Sequence, residues 1–385
     1  MGSITDKVVV LGVGCTRFGE RHDASAADLM EEAVAEAVAD AGIERDAIEA
    51  AWVGTYFPAT GTAGVALSDG LRLYDKPVTR VENYCASGMD AFRNACFGVA
   101  SGMYEIALVT GVEKLKDFGD RGIPDQGDHP ILGRGRSAPG GFALAATRYL
   151  HEHGLGRDVL ADVAVKNHAN GALHAKAHLR REITAEQALA APMIASPLGL
   201  YDCAPTSDGA AAIVVASPEA ARALGRDDAV KVKAVALDVW TGRPYHWNDF
   251  DYTHWPTTRR ATADAFRQAG IAAGDVDVVE SHDCFTITEL LNIEDMGLAE
   301  PGQAWKLVRD GECGPDGRIP VNPSGGLKAF GHPIGATGAR MVYEVTRQLQ
   351  GRSEGAQVPG SPEIGVCQNI GGAGGNLTAV TVLGR

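Results

Sequence analysis

Apolar residues in the first part of the chain occur alternately in short unbroken runs and in stretches with helical spacing. Residues 7–13 are largely apolar, as in a strand that is buried on both faces. Residues 25–41 repeat apolar side chains every three to four positions, with Ser25 as a candidate N-cap and Gly42 as a candidate stop. The same patterns predict two further strands and one helix, at 52–56, 105–111 and 87–101. This alternation predicts a mostly parallel sheet with helices on both faces.

The second part of the chain repeats this order of elements after an interruption. Residues 117–142 are rich in Gly, Pro, Asp and Arg, and helical patterns follow over about 143–193, which indicates an insertion. Alternating strand and helix patterns then resume, at 209–216, 231–239, 258–269, 276–283, 286–297, 335–349, 363–368 and 377–383. We therefore predict a duplicated α/β unit with an insertion in the first copy.

Composition and charge narrow the class of protein further. A chain of 385 residues is long enough for two or three units. Its net charge of −14 argues against a nucleic-acid partner, which normally meets a basic face. Seven cysteines without a CxxC pair predict neither a zinc ribbon nor a disulfide framework, and they fit reduced thiols in the cytoplasm. The sequence contains no run of eighteen apolar residues and no secretory pattern, so no membrane span is expected.

Cys85 is a candidate nucleophile because it lies where a strand-like stretch gives way to a helical pattern. A thiol at a helix N-terminus faces unpaired N–H groups and the positive end of the helix dipole, which favour the reactive thiolate. The small residues Ala86, Ser87 and Gly88 leave room for a substrate. The alternative is a cysteine that is simply buried in the core.

Two histidines and a second cysteine could complete such a site. His332 lies in a glycine-dense segment, 322–338, whose backbone can approach a ligand closely, although it could also be a structural turn histidine. His282 and Cys284 follow a predicted strand, and ligands bind at the carboxyl ends of strands in open α/β sheets. Together with the intervening Asp283, they are candidates for an acid–base group. The glycine-rich turn 369–376 could donate N–H groups to an oxyanion or be a plain hairpin.

Other unusual residues indicate function less clearly. His174 and His178 have the spacing of a metal-binding pair, but a solvated helix face is the preferred interpretation, and no metal site is expected. Segment 240–256 holds three of the five tryptophans, which could line an acyl pocket or a partner surface, or pack over loops.

The motifs, taken in chain order, resemble those of the thiolase superfamily. They are the cysteine at 85, HDCF at 282–285, GHPIGATG at 331–338 preceded by NPSGG, and NIGGAGG at 369–375. The pattern looks like that of the sterol-carrier-protein-type and archaeal-type thiolases, and the resemblance extends over nearly the whole chain.

The resemblance implies a thiolase-like α/β fold. Two βαβαβαββ halves would be stacked as five α/β/α/β/α layers, with a loop domain inserted in the first half. We assign 1–119 and 200–226 to the N-terminal half, 120–199 to the loop domain and 227–385 to the C-terminal half. The resemblance also implies acyl-CoA substrates without a permanently bound cofactor, a homodimer or tetramer, and in some relatives a small zinc-ribbon/OB-fold partner protein.

The resemblance also implies a role for the motif residues. Cys85 would be the acylated nucleophile, and His332 would be the base that activates it. His282 stands where more familiar thiolases have Asn. The backbone N–H groups of Cys85 and Gly371 would hold the acyl-enzyme oxyanion, while His332 and His282 would hold the oxygen of the second thioester.

The second catalytic thiol is expected at an unusual place. Familiar thiolases carry it in a C-terminal CxG motif, where this chain has Asn369. Cys367 lies two residues too early, a displacement of about 6–7 Å along a strand. We therefore expect Cys284 to be the acid–base thiol, with Cys367 as the alternative. Further candidate contacts to substrate or coenzyme A are Lys166, His168, Arg180, Arg181 and Asn369.

The implied reaction is a Claisen condensation, or thiolysis in reverse, through an acyl group on Cys85. Three other functions stay open. A decarboxylating ketoacyl synthase also uses one Cys and two His, but it needs no acid–base thiol such as Cys284. A retro-aldol lyase acting on an acyl-CoA side chain needs no nucleophilic cysteine. A scaffold subunit would need none of Cys85, His282, Cys284 and His332.

Overall fold

A computed structural model describes residues 4–57, 64–118, 137–241, 250–372 and 375–385 of the chain. The strands in these ranges are β1 (Val9–Cys15), β2 (Ala50–Gly54), β3 (Val78–Val81), β4 (Ile106–Lys114), β5 (Met193–Ala195), β6 (Leu198–Gly199), β7 (Asp208–Ala216), β8 (Val230–Val239), β9 (Val278–Ser281), β10 (Ile364–Gly371) and β11 (Leu377–Gly384). The α-helices are α1 (Ala26–Ala41), α2 (Gly64–Leu71), α3 (Ser87–Ala100), α4 (Ala138–His153), α5 (Asp158–Leu173), α6 (Ala185–Ala190), α7 (Pro218–Ala223), α8 (Pro256–Ala269), α9 (Thr286–Asp295), α10 (Ala304–Arg309), α11 (Gly326–Phe330) and α12 (Thr337–Leu349).

Nine strands form a continuous sheet in the order β3-β2-β4-β7-β1-β8-β11-β10-β9. The strands of the first and second halves meet where β1 and β8 pair at Val9 and Val10. On the free edge of β9, Val321 pairs with Val279 in an isolated parallel bridge, which takes the place that β3 has beside β2. Each half therefore has the same order of strands, and the predicted duplication is confirmed.

The prediction of a mostly parallel sheet is wrong. Among the named strands, only β2–β3, β2–β4 and β9–β10 pair in parallel. The last strand of each half, β7 or β11, lies antiparallel to both of its neighbours. Alternation of strand and helix patterns is a local signal of parallel units, whereas these final strands are placed by long-range pairing.

Helices α3 and α12 lie between the strands of the two halves. Helix α3 contacts β2 and β4 and also β8 and β11, while α12 contacts β9 and β10 and also β1, β4 and β7. Helix α1 covers the other face of the N-terminal strands, and α8 covers that of the C-terminal strands. The layers therefore follow the α/β/α/β/α order that the resemblance implies.

Most predicted elements lie within a few residues of the observed ones. Helix α1 begins after Ser25, whose hydroxyl accepts from the Asp28 N–H, and it ends at Gly42 with a φ of 68°. The patterns do not predict β3, because none of its residues is fully buried and an apolar run is therefore absent. They do not predict α2 either.

The predicted insertion forms helices α4, α5 and α6 and the hairpin β5–β6, which lie outside the nine-stranded sheet. Helix α5 packs on α9, α10 and α11 and so contacts the second half. The glycine-rich stretch at 119–136 lies outside the described residues. The assigned boundaries of the three units stay predictions. No helix in the described ranges has both the length and the apolar character needed to cross a bilayer.

Candidate active site

Cys85 lies between β3 and α3, two residues before the first helical residue. The turn that carries it is tight, since Tyr84 has a φ of 49° and its carbonyl accepts from the Ser87 N–H. The Ser87 hydroxyl accepts a second bond from the Asn83 N–H. Local hydrogen bonds thus hold the backbone beside the thiol in a left-handed conformation, a form of strain that is frequent at functional sites.

His332 occupies the corresponding place in the second half, between α11 and α12. Its Nδ1 lies 2.7 Å from the Thr337 hydroxyl, which itself donates to the Pro333 carbonyl. Because the hydroxyl proton is already used, Nδ1 is the donor in this pair and carries the proton of the neutral ring. Nε2 is buried and has no hydrogen-bond partner among the described residues. It offers the free lone pair that a general base requires.

His282 directly follows β9, at the carboxyl end of the strand. Its Nδ1 lies 2.8 Å from the amide nitrogen of Asn369. In this orientation the amide donates, so Nδ1 accepts and Nε2 carries the proton of the neutral ring. The two histidines therefore present opposite groups, a lone pair at His332 and an N–H at His282. Asn369 takes part as the partner of His282.

The structure brings together the three residues that the sequence placed in separate motifs. The Cys85 sulfur and one ring nitrogen each of His282 and His332 lie within 4.8 Å of one another. The two imidazole rings meet edge to face, with their centroids 5.4 Å apart. Since Cys85 belongs to the first half and both histidines to the second, the group is assembled only when the halves pack together.

Burial dominates the protonation of these groups. It raises the pKa of Cys85 to about 12, although a hydrogen bond from the Gly372 N–H opposes the rise. Burial, and to a smaller extent the charge of Arg340, lower the pKa of His332 to about 3. Burial is also the main cause that holds the pKa of His282 well below its usual range, and His332 adds to this effect. The resting site therefore contains a thiol and two neutral imidazoles. Burial therefore opposes the thiolate that the helix end favours, because desolvation disfavours the charged form.

Cys284 is buried between His282 and helix α9. Its sulfur lies 3.8 Å from the Thr288 hydroxyl, which donates to the Phe285 carbonyl, so the thiol is the donor to Thr288. Burial raises the pKa of Cys284 well above its usual range, and ionisation of Cys85 would raise it further. The two cysteines are therefore close enough to influence each other, and Cys284 is protonated at rest.

The C-terminal hairpin reaches the turn that carries Cys85. Gly371 ends β10, and a Cβ added there would lie 2.7 Å from the Asn83 carbonyl. The N–H group that bonds to the Cys85 sulfur belongs to the next residue, Gly372. The sequence patterns did not single out Gly372, because a glycine-rich turn does not reveal which of its N–H groups faces inward.

A buried carboxyl group joins the loop after α11 to the first half. Glu113 accepts hydrogen bonds from the N–H groups of Tyr56, Phe57 and Gly335 and from the Thr55 hydroxyl, at 2.8–3.2 Å. Burial raises the pKa of Glu113 to about 7, and the backbone donors oppose this rise. Sequence reasoning missed Glu113, because Gly335 is 222 residues away along the chain and no local pattern records the contact.

The basic residues suggested as coenzyme A contacts lie in different surroundings. The Lys166 ammonium has a buried partner, the Glu289 carboxylate, at 3.0 Å. His168 is buried, and its Nδ1 lies 2.8 Å from the Arg181 carbonyl. Arg180 and Arg181 have exposed side chains. The two arginines are therefore the accessible cations of this set.

Three other candidates do not belong to the group whose ligand atoms lie within 4.8 Å of one another. Cys367 is buried, and burial and the charge of Glu280 raise its pKa well above the usual range. His174 is fully buried with its Nε2 3.1 Å from the Glu344 carboxylate, so its interpretation as part of a solvated helix face is wrong. His178 bonds instead to the Ser207 hydroxyl, at 2.8 Å. Helix α5 ends before both histidines, so their four-residue spacing does not place them on one face of a helix.

The tryptophan-rich segment 240–256 falls partly outside the described residues, which omit 242–249. Trp255 is fully buried and meets Phe142 of α4 edge to face, with ring centroids 5.9 Å apart. Trp240 packs on Phe250, with ring centroids 5.2 Å apart. The two described tryptophans thus contribute to packing.

Fold and site together define an enzyme of the thiolase-like class, with a cysteine and two histidines held between duplicated halves. Comparison with models of protein families assigns the chain to the same class. The description "Thiolase, N-terminal domain" matches residues 8–120, and "Thiolase C-terminal domain-like" matches residues 244–385.

Known relatives span almost the whole chain. Acetyl-CoA acetyltransferase of Methanothermobacter thermautotrophicus is 40% identical over 98% of this chain and 99% of the relative. Sterol carrier protein 2 of Homo sapiens is 30% identical over 98% of this chain and 72% of the relative. The chain therefore belongs to the thiolase family, as the motifs indicated, and its function is that of a thiolase-type acyltransferase.

Solved structures show the same fold. The Ltp2-ChsH2(DUF35) aldolase superposes with a TM-score of 0.86 at 24% identity, over 100% of this chain and 99% of that one. Human mitochondrial 3-ketoacyl-CoA thiolase superposes with a TM-score of 0.71 at 17% identity, over 98% of both chains.

Proposed function

We propose that this thiolase cleaves or forms a carbon–carbon bond beside a coenzyme A thioester, with Cys85 carrying the acyl group. The observation that supports this most directly is the approach of Cys85, His282 and His332 to within 4.8 Å. The name of the acetyl-CoA acetyltransferase relative supports acetyl-CoA as one substrate.

In the cleavage direction, the Cys85 sulfur attacks the 3-keto carbon of a ketoacyl-CoA while its proton passes to His332 Nε2. Because the thiol has a pKa of about 12, proton transfer accompanies the attack rather than preceding it. The N–H groups of Cys85 and the neighbouring hairpin, at Gly371 or Gly372, stabilise the oxyanion. The bond between C2 and C3 then breaks, which leaves the acyl group on Cys85.

The departing enolate needs a hydrogen-bond donor and a proton. The Nε2–H of His282 donates to the enolate oxygen, and the thiol of Cys284 protonates the carbon. Coenzyme A next attacks the acyl group and gives its thiol proton to the Cys284 thiolate. The Cys85 sulfur leaves and recovers its proton from His332, so both cysteines return to the thiol form. Condensation follows the same steps in reverse.

Mass spectrometry of the intact protein tests the nucleophile. Mixing with acetyl-CoA is expected to add one acetyl group to the wild-type protein and none to Cys85→Ala. Cys203→Ala is the matched control, since Cys203 is also a partly exposed free thiol, and it should still be acetylated. Failure of every acyl-CoA tried to form an adduct would contradict the mechanism.

The same variant distinguishes the other candidate functions. A retro-aldol lyase predicts that Cys85→Ala keeps its activity, whereas the proposed thiolase predicts that it loses activity. A decarboxylating synthase predicts turnover of malonyl thioesters but not of acetyl-CoA.

Accessible arginines support a contact with the phosphates of coenzyme A through Arg180 and Arg181. Charge reversal of both is expected to raise KM for the thioester and leave kcat nearly unchanged.

The proposal also includes homo-oligomers, a cytoplasmic location and a small partner protein. The DUF35 component of the Ltp2-ChsH2(DUF35) aldolase supports the partner. Native mass spectrometry of the protein isolated from its source would test both forms of assembly.

A further inference from the structure

The proposed catalytic group also has the composition of a metal site. Zn²⁺ is bound by cysteine sulfur and histidine nitrogen at about 2.0–2.3 Å, which places the ligands around one ion roughly 3.5 Å from each other. The Cys85 sulfur and the ring nitrogens of His282 and His332 already lie within 4.8 Å. Side-chain rotations that move these ligand atoms by about an ångström would therefore bring all three to one ion. The Cys85 side chain is partly exposed, which gives an ion access.

The surroundings of both histidines match what metal ligands require. A metal-bound imidazole usually donates its remote N–H to a neighbouring oxygen, which fixes the ring. His332 does so already, from Nδ1 to the Thr337 hydroxyl at 2.7 Å. Asn369 can do the same for His282, because rotation of its amide would present Oδ1, an oxygen that is buried without a partner among the described residues. Both Nε2 atoms would then be free for the metal.

The charges around the site allow a cation to bind. In the arrangement described above, both imidazoles offer a lone pair from Nε2, so only the Cys85 proton must leave when a metal arrives. Glu113 and Glu82 lie close enough to act on Cys85, and each favours a cation when it is ionised. Arg340 acts on both histidines and opposes it. A thiol that coordinates a metal is deprotonated outright, so Cys85 would bind the ion as the thiolate.

We propose that Cys85, His282 and His332 bind one Zn²⁺ ion and that this binding reversibly inhibits the protein. The thiol of Cys85 loses its proton to solvent and its sulfur bonds to the metal, so it can no longer attack a thioester. Metal binding itself does not depend on the proposed function, whereas inhibition does.

Cobalt titration of the metal-free, full-length protein tests the site directly, because Co²⁺ bound to a thiolate absorbs in the near ultraviolet. We expect one Co²⁺ per chain, displacement by Zn²⁺ and no effect of Mg²⁺, which prefers oxygen ligands. Cys85→Ser should abolish the absorption band, and the control Cys203→Ser should keep it. His332→Asn should weaken Co²⁺ binding at least about tenfold; it serves as the second variant if Cys85→Ser proves unfolded by circular dichroism.

Zn²⁺ should also block acetylation of Cys85, and chelation by EDTA should restore it. The inference is overturned if the wild-type protein shows no cobalt band, if Cys85→Ser keeps the band, or if Cys203→Ser loses it. A protein that is acetylated at Cys85 but binds no cobalt contradicts this inference alone. A protein that binds cobalt at Cys85 but forms no acyl adduct contradicts the proposed function alone.

Discussion

For single residues, the decisive property of the site is which ring nitrogen of each histidine carries the proton. The Thr337 hydroxyl accepts from His332 and leaves Nε2 as a base, while the Asn369 amide donates to His282 and leaves Nε2–H as a donor. Two chemically identical side chains thus receive different roles from their neighbours. Neither Thr337 nor Asn369 has to touch the substrate for this effect.

Replacing Thr337 with Val should therefore slow acylation of Cys85 by roughly 10- to 100-fold, because the His332 proton is no longer held on Nδ1. Quenched-flow mass spectrometry would measure the rate, and Thr337→Ser should restore most of it. The matched control is Thr346→Val in the same helix, whose hydroxyl is buried without a partner among the described residues. Equal rates in wild type and Thr337→Val would show that Thr337 does not position His332.

A second residue-scale prediction concerns Glu113 and pH. Its pKa is about 7 in the folded protein against a usual 4.5, so the folded state holds the proton more tightly. The stabilisation from Glu113 is therefore complete below about pH 4.5 and is lost as the pH rises to about 7. Glu113→Gln should remove this contribution, which amounts to roughly 3 kcal/mol over that range.

Urea unfolding at several pH values would check this prediction. Glu182→Gln is the control, since that side chain is exposed and its replacement should leave the pH dependence unchanged. Parallel curves for wild type and Glu113→Gln would contradict the assigned shift.

Between elements, close backbone contacts place the loop of His332 against the first half. A Cβ on Gly111 of β4 would lie 2.4 Å from the Gly335 carbonyl, and one on Gly88 of α3 would lie 2.5 Å from the same oxygen. The contacted atom is backbone, so it cannot simply rotate away. Glycine at these positions is therefore a condition for bringing His332 near Cys85.

Gly111→Ala should displace this loop, cost about 1–3 kcal/mol of unfolding free energy and lower kcat by at least about tenfold. Gly274→Ala is the matched control, because no atom lies within 4 Å of an added Cβ there. Thermal unfolding and steady-state kinetics would measure both effects. Full activity in Gly111→Ala would mean that the loop tolerates the shift.

Over the whole molecule, one hydrophobic core connects the two halves. The same buried cluster contains Val13 and Phe92 from the first half and Val279 and Val380 from the second. Helices α3 and α12 extend this contact, since each packs on strands of both halves. Neither half can lose its structure without exposing apolar surface on the other.

We therefore expect a single cooperative unfolding transition. Trp52 is the sole tryptophan before residue 240, so it reports on the first half. Denaturant curves from Trp52 fluorescence, in a variant with the other four tryptophans replaced by Phe, should coincide with far-ultraviolet circular dichroism. Wild-type protein with all tryptophans is the control for stability. Separate midpoints for the two probes would contradict a shared core.

The sequence determined by itself the features that arise from neighbouring residues. Apolar periodicity and the Ser25 cap located most elements, and the repeated order revealed the duplication. Short motifs also singled out Cys85, His282, Cys284 and His332 as candidates, because each lies in a short stretch of distinctive residues.

Only the tertiary structure decided how distant residues act on these groups. It placed antiparallel strands within each half, paired Lys166 with Glu289, and brought Glu113 to the loop after α11. It also buries Cys85, which raises the pKa of the thiol although the local helix end favours the thiolate. Desolvation and long-range hydrogen bonds depend on which parts of the chain pack together, and no local pattern of residues records that choice.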